Sequence, residues 1–246
     1  MPNFFVEATQ INDTEVRIFG DDAHHIARSL RMAEGDAVTV SDGTGMQYLA
    51  VLKKIRDEEC IARIENTRCG FGESPVEVTL FMGYPKSDKL EMIVQKATEL
   101  GAYAIIPFES SRCIKRPSAE KSEKIIQRLS RIVKEAAKQC SRSKIPQISA
   151  PITLGELSGK IKDFDLALFC YECAPSENSC RKILESHHSP VRSVAVIVGC
   201  EGGFSAEEAE LIITSGAKAV SLGERILRCE TAPDFILSAI SYHFEM

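Results

Sequence analysis

Two short segments near the end of the sequence combine glycines with charged residues. Gly199–Phe204 (GCEGGF) and Leu222–Ala232 (LGERILRCETA) each follow a hydrophobic run that is typical of a buried strand. Adjacent glycines let a ligand approach the backbone closely, and a helix beginning at Ser205 would present free amide groups in its first turn. Open α/β sheets bind ligands beyond the carboxyl ends of their strands. These segments therefore predict a pocket for a nucleotide-like molecule.

The glycines do not match the motifs of the common nucleotide-binding or hydrolase sites. The sequence contains no GxGxxG dinucleotide fingerprint, no GxxxxGK[ST] phosphate loop and no GxSxG nucleophile elbow. A tight strand-to-helix turn without function is the alternative interpretation of Gly199–Phe204. Four charged residues at the same predicted edge favour a functional site, because charged groups at the ligand end of a sheet are expected to take part in binding or catalysis. They are Glu201, Arg225, Arg228 and Glu230.

Positive charge is concentrated in one part of an otherwise acidic chain. The whole sequence has 30 Lys and Arg against 35 Asp and Glu, a formal net charge of −5. Residues 112–144 hold 11 Lys or Arg and only 3 Glu. A helix predicted at 120–140 buries an apolar stripe and presents a cationic ridge on its other face. Such a local excess favours a polyanionic partner, and a solvated helix face is the alternative.

The composition is that of a globular protein with reduced thiols. Of the 246 residues, 44% are hydrophobic and 26% charged, which excludes collagen-like, coiled-coil and largely disordered chains. No apolar run approaches the ~20 residues of a membrane span and no signal peptide is recognisable, so a cytoplasmic protein without a membrane partner is expected. The nine cysteines are irregularly spaced, and Cys170 and Cys173 form a lone pair without suitably spaced histidines. No metal site is therefore expected.

The pattern of hydrophobic residues changes at about residue 72. Before it, strand-like runs separated by turn residues predict a small β-barrel or sandwich with one helix at 22–31; the runs are 3–6, 16–19, 37–41, 47–55 and 60–66. After it, the strand-like runs 76–82, 104–108, 166–171, 194–199 and 219–222 alternate with helical patterns, which is typical of a largely parallel sheet. We place the boundary at the glycine-containing stretch 69–75, between domains at 1–72 and 73–246.

Five motifs in order resemble the RsmE family, the 16S ribosomal RNA uridine-N3 methyltransferases of the SPOUT (trefoil-knot) superfamily. The two glycine-containing segments are similar to the C-terminal signatures of that family. Three further groups lie upstream: His24–His25 with Ser29–Arg31 and Gly35–Asp36, Lys96–Gly101 with Pro107, and Glu135–Arg142 with Pro146. The resemblance spans the whole chain. It departs from the family pattern at Cys200, where proline is usual, and at Asn3, where a basic residue is common.

This resemblance implies a fold, a cofactor and partners. The implied fold class is α/β, with a SPOUT α/β trefoil-knot methyltransferase domain at 73–246 preceded by a small PUA-like β-barrel domain at 1–72 that binds RNA. The implied activity is S-adenosylmethionine-dependent methylation of N3 of a uridine in 16S rRNA of the small ribosomal subunit, by a homodimer and without a metal. The alternatives are a non-catalytic RNA-binding or ribosome-assembly protein, and a SPOUT methyltransferase acting on transfer RNA or on a ribose 2′-hydroxyl.

Candidate site residues follow from the resemblance and from the chemistry of uridine. Cofactor contacts are expected from Gly199, Glu201, Gly202, Gly203, Leu222, Gly223, Arg225, Ile226 and Leu227. Uridine N3 carries a proton at neutral pH, and one charge-assisted hydrogen bond of ~1.5–3 kcal/mol lowers its pKa by only ~1–2 units. We therefore expect either two cations, or one cation together with a carboxylate, Glu201 or Glu230, that accepts the proton. Arg142 and Arg228 are the residues expected to orient the substrate. RNA contacts are expected from Arg28, Arg31, Arg112, Lys115, Arg116, Arg128, Arg131, Lys138 and Arg142.

Overall fold

A computed structural model of the chain describes residues 1–86, 89–113, 119–187 and 189–246. The described chain divides into two compact units, Met1–Glu73 with Lys134–Ile145, and Ser74–Val133 with Pro146–Met246. The boundary predicted after residue 72 would assign Lys134–Ile145 to the second domain. In the structure this segment belongs to the first unit, because Lys138 and Arg142 form ion pairs with Asp22 and Glu73.

The first unit is built on a curled five-stranded sheet. Its strands are β1 (Asn3–Phe5), β2 (Glu15–Phe19), β3 (Ala37–Ser41), β4 (Met46–Ile55) and β5 (Glu59–Cys69). They lie in the order β1-β3-β4-β5-β2, and every neighbouring pair is antiparallel except β1 and β3. The register between β4 and β5 shifts after Leu49 and again after Leu52, and such irregularities bend a sheet. The predicted barrel is thus present as a curled half-barrel.

Side chains on one face of this sheet form a separate hydrophobic core. Alternate residues of a strand point to the same face, so the strands contribute a repeating set of buried side chains: Val16, Ile18, Val38, Val40, Ala50, Leu52, Cys60 and Ala62. Helix α1 (Gly20–His24) continues as a π-helical turn, His25–Ser29, and adds Ala23 and Ile26 to the core. The predicted helix at 22–31 is therefore confirmed with bounds displaced by two residues at each end.

The second unit is built on a parallel sheet. Its strands are β6 (Glu77–Gly83), β7 (Ala104–Glu109), β8 (Gln147–Ile148), β9 (Ile152–Thr153), β10 (Leu166–Cys170), β11 (Ser193–Val198) and β12 (Lys218–Val220). Their order is β12-β10-β11-β6-β7-β8, with β9 also paired with β7, and all pairs are parallel. The central strands are apolar along their length, as expected when both faces of a sheet are covered. The predicted α/β class is confirmed.

Six further α-helices lie within the described residues. They are α2 (Lys89–Glu99), α3 (Ala119–Gln139), α4 (Leu154–Lys160), α5 (Cys180–Ser186), α6 (Ala206–Thr214) and α7 (Thr231–Glu245). The start predicted for α6 is confirmed, since Glu208 N donates to Ser205 Oγ at 3.2 Å and Ser205 N donates to Glu208 Oε2 at 2.9 Å. Gly101, with φ +86°, follows the end of α2 as predicted. None of the helices within the described ranges has the length and apolar character needed to cross a membrane.

Candidate functional site

Three neighbouring strands bring the candidate residues to one edge of the parallel sheet. Strands β12, β10 and β11 lie side by side, so their carboxyl ends at Val220, Cys170 and Val198 share that edge. The segments that follow these strands line a cavity of about 560 Å³. All nine predicted cofactor residues line it, and so do Arg228 and Glu230. The sequence pattern thus located a real concave site, although the roles of its residues stay predictions.

Several cavity residues are absent from the predicted site, among them Tyr171, Glu172 and Lys89. Tyr171 and Glu172 line the cavity directly after β10. Their position at the carboxyl end of a strand that was itself predicted is a signal that could have found them. Lys89 also lines the cavity, but it is the first residue of α2 and follows no strand directly. Its proximity to the site depends on the packing of α2 and has no local sequence signal.

The adjacent glycines of Gly199–Phe204 are required by close packing. A Cβ at Gly199 would lie 2.7 Å from Cε2 of the Phe204 ring, and one at Gly202 would lie 2.9 Å from the Cβ of Arg112. Gly203 has φ +63°, and a Cβ there would lie 2.9 Å from Glu172 Oε1. Contacts below 3 Å force a neighbouring group to move, so side chains at these positions would distort the loop that lines the cavity.

Arg112 supports this loop from outside. Its Nη1 donates to the carbonyl oxygen of Gly202 at 2.8 Å, and the residue remains exposed. One residue further along, the buried thiol of Cys113 is hydrogen-bonded to Cys200, and this bond together with those from Ser110 lowers the pKa of Cys113 although burial opposes the change. Cys200, at the position where the family usually has proline, therefore both lines the cavity and interacts with Cys113.

A compact charge cluster occupies the cavity wall. Lys89 Nζ lies 3.0 Å from Glu230 Oε2 and 3.3 Å from Glu201 Oε1. Partial burial raises the pKa of Glu201, but hydrogen bonds from backbone amides and from Lys89 outweigh burial and lower it. Burial likewise raises the pKa of Glu230, and the bond from Lys89 reverses that effect. Both predicted proton acceptors are therefore ionised at neutral pH.

The segment after β12 presents exposed side chains beside the cavity. Arg225, Ile226 and Arg228 all line the cavity and are exposed, and Ile226 shows 88% of its surface. The backbone under Arg228 is ordered by the start of α7, since its carbonyl oxygen accepts from Thr231 N at 2.8 Å and Ala232 N at 2.9 Å. Two cationic side chains and one apolar side chain are thus available to a ligand.

Arg142 has a structural environment in the first unit. Its Nη2 donates to Glu73 Oε2 at 2.6 Å, and only 4% and 9% of the two side chains are exposed. Glu73 Oε1 also accepts from Ser143 N at 2.9 Å and Lys144 N at 2.8 Å. Arg142 does not line the cavity among the described residues. Its predicted role in orienting the substrate gains no support from these contacts.

Asn3, which departs from the family pattern, belongs to the same buried network. It donates from Nδ2 to the carbonyl oxygen of Arg142 at 3.0 Å, and its Oδ1 accepts from Ser41 Oγ at 3.0 Å. The residue is only 5% exposed. An uncharged amide suits this position because both of its polar atoms find partners and no charge is buried.

Several predicted RNA contacts are paired with acidic neighbours. Arg28 Nε donates to Asp57 at 2.8 Å, Arg128 Nη2 lies 2.8 Å from Glu91, and Lys138 Nζ lies 2.8 Å from Asp22 and 3.0 Å from Glu135. Arg31 and Arg131 are exposed. Lys115 and Arg116 lie outside the described residues. The net positive charge of the predicted RNA contacts is therefore smaller than the sequence count suggests.

The cysteines and histidines that the structure describes form no metal site. All nine cysteines are free thiols. Within the described residues, no group of three or more His, Cys, Asp or Glu side chains could hold a metal ion.

Comparison with known proteins identifies both parts of the chain. Residues 72–241 match the family model described as an RNA methyltransferase domain, and residues 20–65 match the RNA methyltransferase PUA domain. The ribosomal RNA small subunit methyltransferase E of Bacillus subtilis is 34% identical over 251 residues, which cover 100% of this chain and 98% of the relative. The protein of the same name from Synechocystis is 35% identical, over 96% of this chain and 76% of its own length.

A solved structure shares the architecture. The crystal structure of a ribosomal RNA small subunit methyltransferase E from Neisseria gonorrhoeae, described as bound to S-adenosyl methionine, has a TM-score of 0.85 and 28% identity. The match covers 98% of this chain and 97% of that one. The full-length agreement in sequence, domain order and fold leads to one conclusion: the chain belongs to the RsmE family of RNA methyltransferases, with a PUA domain preceding the methyltransferase domain.

Proposed function

We propose that this protein transfers the methyl group of S-adenosylmethionine to N3 of a uridine in 16S rRNA of the small ribosomal subunit. One observation carries the proposal: the nine residues expected to bind the donor line a single cavity where three parallel strands end. Family membership supports RNA as the substrate, and the relatives' name supports the small subunit. The N3 position rests on the resemblance of the two glycine-containing segments to the RsmE signatures.

The cavity suits a donor of this size and chemistry. Its volume of about 560 Å³ lies within the range of ~300–1,000 Å³ that is usual for small-molecule sites. Gly199, Gly202 and Gly203 keep their backbone free of side chains, so the adenosine and the methionine tail can bind to backbone groups. Ile226, which lines the cavity and is exposed, is the residue we expect to cover the adenine. When bound, the donor supplies an electrophilic methyl group on its sulfonium.

The chain's own residues must position uridine and deal with its N3 proton. Arg225 and Arg228 line the cavity and can donate to the uracil oxygens, which favours the N3 anion. Glu201 and Glu230 are ionised and can accept the proton, but a carboxylate with a lowered pKa is a weak base. Stabilisation of the N3 anion by the arginines is therefore the larger part of the proposed mechanism. The second part is the alignment of N3 with the methyl group of the donor.

Finer features of the family complete the proposal. We propose that the second unit contains the trefoil knot, that the protein acts as a homodimer, and that it works in the cytoplasm without a metal. Helix α7 leaves Phe235 and Tyr242 43% and 74% exposed, and this apolar surface is available to a second copy. A monomeric mass by light scattering would contradict the dimer.

Analysis of the modified nucleoside is the direct test. Unmethylated 16S rRNA, alone and in assembled small subunits, is incubated with the protein and labelled donor, then digested to nucleosides. The proposal expects 3-methyluridine. A methylated ribose, or labelling of transfer RNA in place of 16S rRNA, would favour a different SPOUT methyltransferase. Failure to bind the donor would favour the non-catalytic RNA-binding alternative.

A further inference from the structure

One ammonium group joins the two carboxylates of the cavity. Lys89 Nζ lies 3.0 Å from Glu230 and 3.3 Å from Glu201. These residues come from three different elements: Lys89 begins α2, Glu201 lies in the segment after β11, and Glu230 immediately precedes α7. A single side chain thus connects both glycine-containing segments to a helix that belongs to neither.

The partners of Lys89 are each held from a second direction. Both carboxylate oxygens of Glu201 accept from Lys86 N, at 3.2 and 3.3 Å. Glu230 Oε2 also accepts from Cys229 Sγ at 3.2 Å. Side-chain exposure is 33% for Lys89, 27% for Glu201 and 15% for Glu230, so solvent screens this cluster less than a fully exposed ion pair. The ammonium group thus lies between two carboxylates that are each held by a further hydrogen bond.

We propose that Lys89 is a positioning residue of the donor site, which acts through Glu201 and Glu230 to hold the segments 199–204 and 222–230 in their binding arrangement. This assignment rests on the proposed function. Without the ammonium group, two like charges would face each other in the cavity wall, and their repulsion would separate the segments. A shift of about 1 Å in such segments is enough to impair binding and turnover.

The charged groups around Glu230 and Glu201 predict a pH signature for this role. Among the residues that the structure describes, the groups that face them are the Lys89 ammonium from α2 and the Cys229 thiol beside α7. The hydrogen bond to Glu230 raises the pKa of Lys89, so the ammonium persists throughout the neutral range. The bond from Lys89 contributes to the lowered pKa of each carboxylate. Removing it should move the loss of donor binding in acid to a higher pH.

The chain contains a matched control. Lys96 Nζ lies 3.0 Å from Asp234 Oδ2 and joins α2 to α7, which begins directly after Glu230. Neither residue lines the cavity among the described residues. A variant at Lys96 therefore removes another ion pair of α2 without removing a residue of the cluster at the donor site.

The test is calorimetric titration of the full chain with S-adenosylmethionine and with S-adenosylhomocysteine. Lys89→Met should raise Kd for both by about tenfold or more, as expected for loss of a charge-assisted hydrogen bond. Lys89→Arg should retain most of the affinity, and Lys96→Met should match the wild type. The acidic limb of donor binding should move upward in pH for Lys89→Met only. Urea unfolding of each variant establishes that the chain is folded.

Glu230→Gln removes the same ion pair from its other side. If Lys89 acts through Glu230, the double variant Lys89→Met/Glu230→Gln should bind the donor no more weakly than the weaker-binding of the two single variants. If one of the single variants unfolds at the assay temperature, the titrations of the cycle are made at a lower temperature. Wild-type affinity and pH dependence in Lys89→Met, or equal losses in Lys89→Met and Lys96→Met, would overturn the assignment. A wild-type chain that binds neither ligand would overturn the proposed function itself.

Discussion

Arg142 and Glu73 form a buried ion pair that joins two distant parts of the sequence within the first unit, with Nη2 and Oε2 2.6 Å apart. The carboxylate is satisfied further by two backbone amides, those of Ser143 and Lys144. A charge removed from water to this extent needs all of its partners.

Loss of Arg142 should therefore destabilise the protein. Arg142→Met leaves the Glu73 carboxylate buried without its cation, and such a change costs ~3–5 kcal/mol of unfolding free energy. Urea unfolding measures the cost. Arg131→Met, at an exposed position of α3, is the control and should change stability by less than ~0.5 kcal/mol. Unchanged stability together with lost turnover would instead restore Arg142 to the catalytic role predicted from the sequence.

Gly202 should tolerate no side chain. Its Cβ in Gly202→Ala would lie 2.9 Å from Arg112 Cβ, so the loop must move at a cost of ~1–3 kcal/mol. Because this loop lines the cavity, we expect donor affinity by calorimetry to fall about tenfold or more. Gly159→Ala in α4, where a Cβ meets nothing within 4 Å, is the matched control. Equal donor affinity in both variants would remove the loop from the donor site.

Arg228 should affect turnover more than donor binding. It is exposed at the cavity, and its proposed contact is with the uracil. Arg228→Ala should lower kcat by ~10- to 100-fold, the equivalent of one charge-assisted hydrogen bond, and leave the donor Kd unchanged. Arg181→Ala on α5, another exposed arginine, should leave both values at the wild-type level. Near-normal turnover in Arg228→Ala would exclude the residue from the mechanism.

The salt dependence of RNA binding should distinguish free from paired cations. Arg131→Glu should weaken binding and reduce the slope of log K against log salt by about one, if Arg131 contacts a phosphate. Lys138, whose side chain is 16% exposed and paired with Asp22 and Glu135, should behave differently. We expect Lys138→Met to lower stability and to leave the slope unchanged. If the slope of log K against log salt is identical in the wild type and Arg131→Glu, the exposed face of α3 does not contact RNA and is an ordinary solvated helix face.

Asp165 should make stability pH-dependent. Backbone hydrogen bonds from Arg192 and Ser193, both at 2.9 Å, and one from the Ser193 hydroxyl lower the pKa of this carboxyl from its ordinary value. A lowered folded-state pKa contributes stability above the unfolded-state value, and this contribution is lost as pH falls through the folded-state value. Asp165→Asn should therefore have a lower Tm than the wild type at pH 7. The difference should shrink below about pH 4, and a constant difference would contradict this explanation.

Local chemistry explains why much of the site was predictable. The glycines of Gly199–Phe204 follow a strand directly, and the capping box of Ser205 and Glu208 marks the next helix within a few residues. Likewise, the alternation of strands and helices after residue 72 predicts a parallel sheet, and parallel strands end at a common edge. These signals involve neighbours in sequence, so they can be read without coordinates.

Other functional assignments depended on contacts between distant residues. Arg142 and Lys138 belong to a basic segment that predicts RNA contacts, but Glu73 and Asp22 neutralise them. Lys89 has no motif of its own and becomes part of the site through Glu201 and Glu230, both more than 100 positions away in the chain. A count of charged residues along a segment of the sequence does not show which of them are paired with acidic residues from distant parts of the chain.

The sequence by itself determined the sheet type, the edge at which the site forms, the glycine-containing segments and the family. Only the tertiary structure decided which charges remain available to a ligand and which neutralise each other. The reason is physical: turns, caps and hydrophobic periodicity arise from interactions over a few residues, whereas the effective charge of a side chain depends on its burial and on whichever partner the fold brings within about 4 Å.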